Sequence, residues 1–325
     1  MNTKDISLSI YSFGYGAGFI KDERVIRAEP FIDLPKLVEM ADAASMGGIE
    51  FPVDYFFGDD FADLNAFIES LEKINLAARL DIDTFEPDYV RNLLPVIAKR
   101  NISFVRIKMS NLFGGNRYKQ GSFREVYVDF VEKLHAVLPS LGEHGIKLLI
   151  ENHQDLSADE LVQIINETSA ELVGVNWDIG NSLPTGDTPE GFLQKTKPFI
   201  GNVHIKDYKL YRRGDGYSLC RCAIGDGVVN FENLFSALEP KTPMSIELGA
   251  QVTRVSDVFK SEFWENHQAV PVAEKASFFK FLVDNLHHNK EGETLWERNC
   301  SGKEIMANEM QEFEHSLQYL STLNW

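Results

Sequence analysis

The sequence predicts an α/β fold, namely a (β/α)8 TIM barrel with an extra C-terminal helical extension. Short apolar runs alternate with amphipathic stretches along the chain, which is typical of strand–helix repeats around a parallel sheet. Four of these runs end in a side chain able to bind a metal, at intervals of 27, 26 and 43 residues. One strand–helix unit of such a barrel takes roughly 25–35 residues, so the four side chains are expected at the C-terminal ends of successive strands.

Each predicted strand is a short apolar run, and in order they are Ile6–Ser12, Gly48–Val53, Ala77–Ile82, Phe104–Lys108, Ile146–Asn152, Leu172–Asp178, Gly201–Lys206 and Met244–Glu247. Apolar residues at three- and four-residue spacing predict helices over Leu34–Met46, Phe61–Ile74 and Val126–Leu141. Ser157 and Glu160 form a capping box that opens the helix after strand five.

The segment after strand eight is longer than one closing helix requires. It predicts the closing helix near Val272–His287 and a further helix near Lys303–Leu323. We therefore expect a single domain over residues 1–325, with the barrel at about 6–290 and the C-terminal helical extension at about 291–325.

Composition restricts the partners. The chain has 325 residues and a formal net charge of −17, and this negative charge disfavours binding to nucleic acid or to an anionic membrane surface. Its three cysteines form neither a disulfide framework nor a Cys-x-x-Cys motif, and we expect reduced thiols in a cytoplasmic protein. No secretory leader or membrane span is expected from the sequence.

The candidate metal ligands are Glu151, Asp178, His204 and Glu247. Strands of an α/β barrel are covered on both faces, so a carboxylate at a strand end needs a partner or a metal ion. Three carboxylates and one imidazole favour Mn²⁺ or Mg²⁺ as the single divalent ion and tolerate Co²⁺ or Zn²⁺. The alternative for Glu151 is a salt bridge to an arginine such as Arg106.

Residues two apart on a strand share a face, which places His153 beside Glu151 and Lys206 beside His204. Lys206 is a candidate for stabilising an oxyanion or binding an acidic substrate group, and the alternative is a lysine that extends to solvent. His153 is better explained as a histidine that hydrogen-bonds a carboxylate than as a ligand. Five further charged residues could face the barrel mouth, and they are Glu50, Arg79, Asp81, Arg106 and Lys108. For these residues the favoured alternative is an ion pair that lines the barrel.

Two glycine-containing loops are further candidates. Leu112–Asn116 follows strand four and has the composition of a mobile lid. Gly225–Gly227 offers backbone N–H groups to a phosphate, although a plain turn is the favoured interpretation.

Five motifs carry a resemblance to a known superfamily, and they are Glu151-Asn152-His153, Asp178-Ile179-Gly180-Asn181, Val203-His204-Ile205-Lys206-Asp207, Ile224-Gly225-Asp226-Gly227 and Ser245-Ile246-Glu247. From about Ile6 to Glu247 the chain resembles the xylose-isomerase-like TIM barrel superfamily of sugar phosphate isomerases and epimerases and AP endonucleases of family 2. The resemblance implies one divalent metal on Glu151, Asp178, His204 and Glu247. It also implies that Glu151 and Glu247 double as acid and base.

The chain departs from this pattern at two places. In the pattern of ketose 3-epimerases that the chain otherwise resembles, a histidine lies three residues after the strand-six aspartate, and here that position is Asn181. In the same pattern an arginine normally follows the strand-seven histidine by a few residues, and here that stretch is Lys206–Lys209. With eight histidines and a strongly acidic charge, the chain also differs from the endonucleases and their three-metal cluster.

The resemblance and the ligand set predict a metal-dependent isomerase or epimerase of a small sugar or keto-sugar, working through a metal-stabilised enediolate. The expected catalytic residues are Glu151, Glu247, Lys206 and His153. The alternatives are a dehydratase or decarboxylase of a keto-sugar acid or inosose-like substrate, a metal-dependent hydrolase and a non-catalytic, metal-stabilised sugar-binding protein. The expected partner is a small carbohydrate, and a homodimer or homotetramer is compatible with the additional helix.

Overall fold

The structure is a computed structural model that describes residues 3–20, 31–119, 121–267, 270–287 and 292–323. Its strands, in chain order, are β1 (Ile6–Ser9), β2 (Gly48–Pro52), β3 (Ala77–Ile82), β4 (Phe104–Lys108), β5 (Lys147–Glu151), β6 (Val173–Asp178), β7 (Ile200–Ile205), β8 (Tyr208–Arg213), β9 (Gly216–Arg221), β10 (Met244–Ile246), β11 (Arg254–Ser256) and β12 (Leu286–His287).

The α-helices are α1 (Leu34–Ala43), α2 (Val53–Phe56), α3 (Phe61–Lys73), α4 (Pro87–Ala98), α5 (Phe123–His144), α6 (Ala158–Glu167), α7 (Pro189–Thr196), α8 (Phe231–Ala237), α9 (Ser261–Glu265), α10 (Val272–Asn285) and α11 (Gly302–Thr322). Short 3₁₀ helices cover Thr3–Asp5, Ile10–Phe13, Arg117–Lys119, Gly180–Thr185 and Lys197–Phe199.

Eight strands close into a parallel barrel in the order β1-β10-β7-β6-β5-β4-β3-β2, which confirms the predicted TIM barrel. The strand register pairs Asp178 with His204, and it pairs Lys108 with Glu151. The C-terminal ends of these strands therefore lie at the same level of the barrel, where enzymes with this fold place their chemistry.

Local sequence signals explain the elements around this end of the barrel. Ser157 and Glu160 form the predicted capping box, in which each side chain accepts from the other residue's backbone N–H. Gly145 ends α5 in the left-handed conformation, with φ of 65°, which glycine adopts without steric cost. The first cap thus begins α6 shortly after β5, and the second ends α5 just before β5.

A second sheet was not predicted from the sequence. It has the order β11-β9-β8-β12, and its antiparallel hairpin β8–β9 lies between β7 and β10. This hairpin, together with α8, accounts for the long interval between His204 and Glu247. The sequence does carry the signal, because Gly214-Asp215-Gly216 separates two alternating segments, a pattern typical of a hairpin.

The two predicted C-terminal helices are present, but their packing differs from expectation. Phe278 and Leu282 of α10 belong to the apolar cluster of the second sheet. Phe313 of α11 joins the barrel core and meets Phe13 edge-on, with ring centroids 5.6 Å apart. Helix α11 therefore packs on the barrel, and the helix expected to close it covers the added sheet. Within the described parts of the chain, no helix is both long and apolar enough to cross a membrane.

A buried histidine beyond α9 predicts how stability depends on pH. His267 stacks on Phe263 with ring centroids 4.3 Å apart, and its Nδ1 lies 2.7 Å from the Phe263 carbonyl oxygen. Burial and the nearby charge of Arg117 lower the pKa of His267 to about 4. The unfolded chain, with a histidine pKa of about 6.5, binds more protons between these values, so stability present above pH 6.5 is lost as the pH falls towards 4.

We therefore expect wild type to lose about 2–3 kcal/mol of unfolding free energy relative to His267→Gln between pH 7 and pH 4.5. Urea unfolding of both proteins at the two pH values measures this difference, and taking the difference cancels the contributions of all other titrating groups. An unchanged difference would contradict the neutral, buried state of His267.

Candidate metal centre and active site

The four candidate ligands lie together at the C-terminal end of the barrel. Glu151 and Asp178 are the last residues of β5 and β6, His204 lies in β7, and Glu247 directly follows β10. All four are buried, and one potential ligand atom from each lies within 4.8 Å of the others. The structure thus brings together the side chains that the strand spacing predicts. Two bonds of roughly 2.0–2.6 Å to one ion span this separation.

His204 is oriented by carboxylates on both sides of its ring. Its Nδ1 lies 2.9 Å from Glu247 Oε2 and 3.7 Å from Glu151 Oε2, while its Nε2 lies 2.6 Å from Glu50 Oε1. Glu50 favours a hydrogen on Nε2, which leaves the Nδ1 lone pair facing the other ligands. Burial lowers the pKa of His204, but Glu50 and Glu247 outweigh burial and raise this pKa well above 6.5. A metal ion that binds the His204 ring must therefore compete with a proton.

Asp178 is positioned by two asparagines. The Asn152 side chain accepts from the backbone N–H of Asp178 at 2.7 Å and donates to its carbonyl oxygen at 2.8 Å. Asn181 Nδ2 donates to Asp178 Oδ2 at 2.6 Å. Asn181 Oδ1 in turn accepts from Gln154 Nε2 at 2.9 Å and from the Tyr208 hydroxyl at 3.3 Å. At position 181, where the resemblance implied a histidine, this chain thus has an amide that orients a carboxylate.

Two buried cations pair with the ligands. Arg106 forms an ion pair with Glu151, so the salt bridge considered as an alternative from the sequence is present. Lys206 donates to Asp178 and, at 2.6 Å, to Glu247 Oε1, and it is only 5% exposed. The interpretation of Lys206 as a lysine extending to solvent is therefore wrong.

The charges of Lys206 and Glu247 sustain each other. Burial lowers the pKa of Lys206, but Asp178 and Glu247 outweigh it and raise that pKa well above its ordinary value. Burial raises the pKa of Glu247, yet Lys206 and His204 lower it well below its ordinary value. At neutral pH this pair is an ammonium beside a carboxylate, both at the bottom of the barrel mouth.

Among the described residues, four buried atoms of the cluster make no hydrogen bond of acceptable geometry, namely Glu151 Oε1, Glu247 Oε2 and both ring nitrogens of His204. His204 Nδ1 and Glu247 Oε2 lie only 2.9 Å apart and His204 Nε2 lies 2.6 Å from Glu50 Oε1, so these are close contacts without hydrogen-bond alignment. A buried polar atom without a partner costs about 1–3 kcal/mol, so such atoms are uncommon in folded proteins. A divalent cation would take Glu151 Oε1, Glu247 Oε2 and His204 Nδ1 as ligands, together with an oxygen of Asp178. The donor set of carboxylates and one imidazole therefore fits a metal ion.

A cavity of about 400 Å³ opens above the cluster. Of the four candidate ligands, Glu247 lines this cavity, and so does its partner Lys206. His153 also lines it, and its Nδ1 lies 3.2 Å from the Ser110 carbonyl oxygen, a backbone partner in addition to which no carboxylate contact is found among the described residues. Burial and the charges of Lys108 and Arg106 lower the pKa of His153 well below 6.5, which keeps a neutral imidazole in the cavity wall.

The remaining charged candidates are distributed over the barrel. Lys108 lines the cavity and pairs with Asp83 at 2.9 Å. Asp81 is buried with neither carboxylate oxygen hydrogen-bonded, and burial together with Glu50 raises its pKa well above the ordinary value. Arg79 lies in a different cavity, beside Lys4 at the N-terminal end of the barrel, so it does not belong to the site.

Both loop candidates are already satisfied internally. The Asp207 carboxylate accepts from the backbone N–H groups of Gly225, Gly227 and Val229 at 3.0, 2.9 and 3.2 Å. The Gly225–Gly227 turn therefore has no free donors for a phosphate, as the plain-turn interpretation expects. This aspartate follows Lys206 in the sequence and fixes the geometry of the loop.

The segment Leu112–Asn116 contains two glycines, yet hydrogen bonds hold it to its neighbours. Gly114 N–H donates to Gln154 Oε1 at 2.8 Å, and Asn116 Nδ2 donates to the Val255 carbonyl at 2.6 Å. Asn116 Oδ1 accepts from the Asp257 N–H at 2.9 Å. These bonds join the loop to the barrel and to β11, which differs from the mobile lid expected from composition.

Sequence reasoning missed two kinds of residue at the site. Asn152 holds Asp178, and Tyr208 holds Asn181 beside it, yet both contacts depend on neighbouring strands. Arg254 lines the cavity from β11, in a region where no strand was predicted. The signal for Arg254 was a basic residue shortly after the last predicted ligand, which sequence alone does not distinguish from a surface charge.

Comparison with known proteins agrees with this geometry. A family model described as xylose isomerase-like TIM barrel matches residues 99–262. The uncharacterized protein YihM of Escherichia coli is 24% identical over 243 residues, which are 73% of this chain and 69% of YihM. The 3-oxo-isoapionate decarboxylase of Pectobacterium atrosepticum is 19% identical over 171 residues, which are 51% of this chain and 59% of that enzyme.

A solved structure gives the same result for the fold. A xylose isomerase-like TIM barrel protein from Mycobacterium smegmatis, in complex with magnesium, is similar with a TM-score of 0.57 and 17% identity, covering 87% of this chain and 97% of that protein. The family model spans half of the chain, and the closed barrel agrees with it. The chain therefore belongs to the xylose isomerase-like TIM barrel family.

Proposed function

We propose that the protein is a divalent-metal-dependent isomerase or epimerase of a small sugar or keto-sugar. The observation that carries the proposal is the buried cluster of four ligand-type side chains, of which Glu247 lines the cavity above it. Glu151, Asp178, His204 and Glu247 would hold the ion. The oxygen-rich donor set supports Mn²⁺ or Mg²⁺ and accepts Co²⁺ or Zn²⁺.

When bound, the divalent ion supplies Lewis-acid polarisation of adjacent carbonyl and hydroxyl groups, which acidifies the carbon–hydrogen bond between them. Glu247 is the base in this proposal, because its carboxylate is ionised and lies in the cavity wall. The Lys206 ammonium, 2.6 Å from Glu247 Oε1, stabilises negative charge that develops on a substrate oxygen. Return of the proton to the neighbouring carbon gives isomerisation, and return to the opposite face gives epimerisation.

The second candidate is a lyase acting on a keto-sugar acid. It is supported by the cationic side chains Lys206 and Arg254 in the cavity wall and by the similarity to a decarboxylase. Loss of carbon dioxide from a 3-oxo acid requires stabilisation of the developing negative charge and a proton donor, but no base to remove a proton. Lys206 is placed to provide both the charge and the proton.

The test is to incubate the metal-loaded protein with ketoses and keto-sugar acids in deuterated water and to follow the products by NMR. An isomerase or epimerase incorporates solvent deuterium at one carbon and forms an isomer of the substrate. A decarboxylase instead releases carbon dioxide, which is detected after hydration as bicarbonate, and a dehydratase eliminates water to form a product that lacks one hydroxyl group. Saturable sugar binding without exchange or product, in protein with full metal occupancy, would show a non-catalytic sugar-binding protein.

A further inference from the structure

The cavity wall is cationic in a protein with a formal net charge of −17. Of these cations, Lys206 pairs with Glu247 and Asp178, Arg106 with Glu151, and Lys108 with Asp83. Arg254 is different, because no carboxylate among the described residues lies within ion-pair distance of its guanidinium, and the Glu297 carboxylate acts on it only from farther away. So far as the structure describes the wall, Arg254 is therefore its one permanently charged cation without an ion-pair partner.

The surroundings of Arg254 suit an anion. Its guanidinium carbon lies 3.6 Å from the centroid of the Phe113 ring, so one face of the guanidinium is covered. Stacking leaves the N–H groups, which lie in the plane, free to donate to a carboxylate. The side chain is half-buried, and a partly desolvated cation without an anionic partner is costly. An anionic ligand would remove that cost.

The position of Arg254 is fixed before any ligand arrives. Its strand β11 pairs with β9, and the neighbouring Val255 carbonyl accepts from Asn116 at 2.6 Å. Gly114 lies so close to this strand that a Cβ would come within 2.1 Å of the Val255 carbonyl oxygen. Glycine is therefore required there, at φ of 70°, and the loop that carries Phe113 is held against the strand that carries Arg254. Such preorganisation is typical of binding residues.

We propose that Arg254 binds a carboxylate of the substrate, so that the substrate class is a keto-sugar acid. The inference rests on the proposed function, because it takes the reacting carbons to lie at Glu247 and Lys206 in the same cavity. A planar carboxylate matches the two parallel N–H groups of a guanidinium. A phosphate commonly takes additional donors from glycine-rich backbone, but here Asp207 occupies the N–H groups of Gly225 and Gly227.

The experiment compares Arg254→Met with the matched control Arg212→Met. Arg212 also lies over a phenylalanine ring, with its guanidinium carbon 4.6 Å from the Phe259 centroid, but it is exposed and outside the cavity. Calorimetric titration of each Mg²⁺-loaded protein uses three probes: 5-keto-D-gluconate, D-fructose and D-fructose 6-phosphate. Melting temperatures report whether the variants fold.

Wild type and Arg212→Met are expected to bind 5-keto-D-gluconate about 10- to 100-fold more tightly than D-fructose, the range of a charge-assisted hydrogen-bonded pair. Arg254→Met should lose this preference, and Arg254→Lys should retain part of it. Equal preference in wild type and Arg254→Met, or tighter binding of D-fructose or of the phosphate ester by wild type, would overturn the inference.

Deuterium exchange in the same samples separates this inference from the proposed function. If the acid preference depends on Arg254 but no probe exchanges or reacts, the anion site stands and the proposed chemistry fails. If D-fructose exchanges equally in wild type and in Arg254→Met, and the acid has no advantage, the chemistry stands and the anion site fails.

Discussion

Exhaustive chelation of divalent metal is expected to abolish turnover and to lower the melting temperature, and Mn²⁺ or Mg²⁺ should restore both. The physical reason is that the buried atoms Glu151 Oε1, Glu247 Oε2 and His204 Nδ1 make no well-aligned hydrogen bond, and a cation would satisfy all three. An ion that binds only the folded state adds about 4 kcal/mol at a thousand times its Kd. Differential scanning calorimetry, activity assays and elemental analysis on the same samples measure the effect.

The control for this prediction is Asp178→Ala, which removes one candidate ligand from the buried cluster. Its melting temperature should respond to added metal much less than that of wild type, because fewer ligands hold the ion. Full activity of wild type after chelation, in samples without detectable metal, would show that the reaction needs no ion. An equal response of Asp178→Ala would place the metal elsewhere.

Glu247→Gln is expected to lower kcat by roughly 10²–10⁴-fold even when the metal site is full, the usual size of a general acid–base contribution. The glutamine keeps an oxygen that can bind the ion but removes the base. Glu247 is the favoured base because it lines the cavity, whereas Glu151 is fully buried and held by Arg106. Proton exchange at the substrate carbon, followed by NMR in deuterated water with metal occupancy measured in parallel, provides the test.

The matched control is Glu50→Gln, which also removes a buried carboxylate beside His204 but does not line the cavity. Loss of such an orienting partner typically weakens metal affinity by about 10- to 100-fold, so excess metal should restore most of the activity of this variant. Wild-type exchange in metal-saturated Glu247→Gln would assign Glu247 to metal binding alone. The base would then be Glu151 or another group.

Much of the fold and of the candidate site follows from the sequence. A strand–helix unit has a characteristic length, and parallel strands all end at the same face of a barrel. For this reason the intervals between Glu151, Asp178, His204 and Glu247 were enough to predict that these side chains meet. The alternation of strand side chains likewise placed Lys206 on the face of His204, where the structure has it.

The tertiary structure alone decided which groups surround these ligands. Glu50 on β2 reaches His204 on β7, although the two strands are not neighbours in the barrel. Such a contact across the interior depends on barrel closure and register, which no local spacing encodes. Arg254 enters the cavity because the hairpin β8–β9 carries β11 along its edge. Ligand positions therefore follow from periodicity along the chain, whereas their partners depend on contacts between segments distant in sequence.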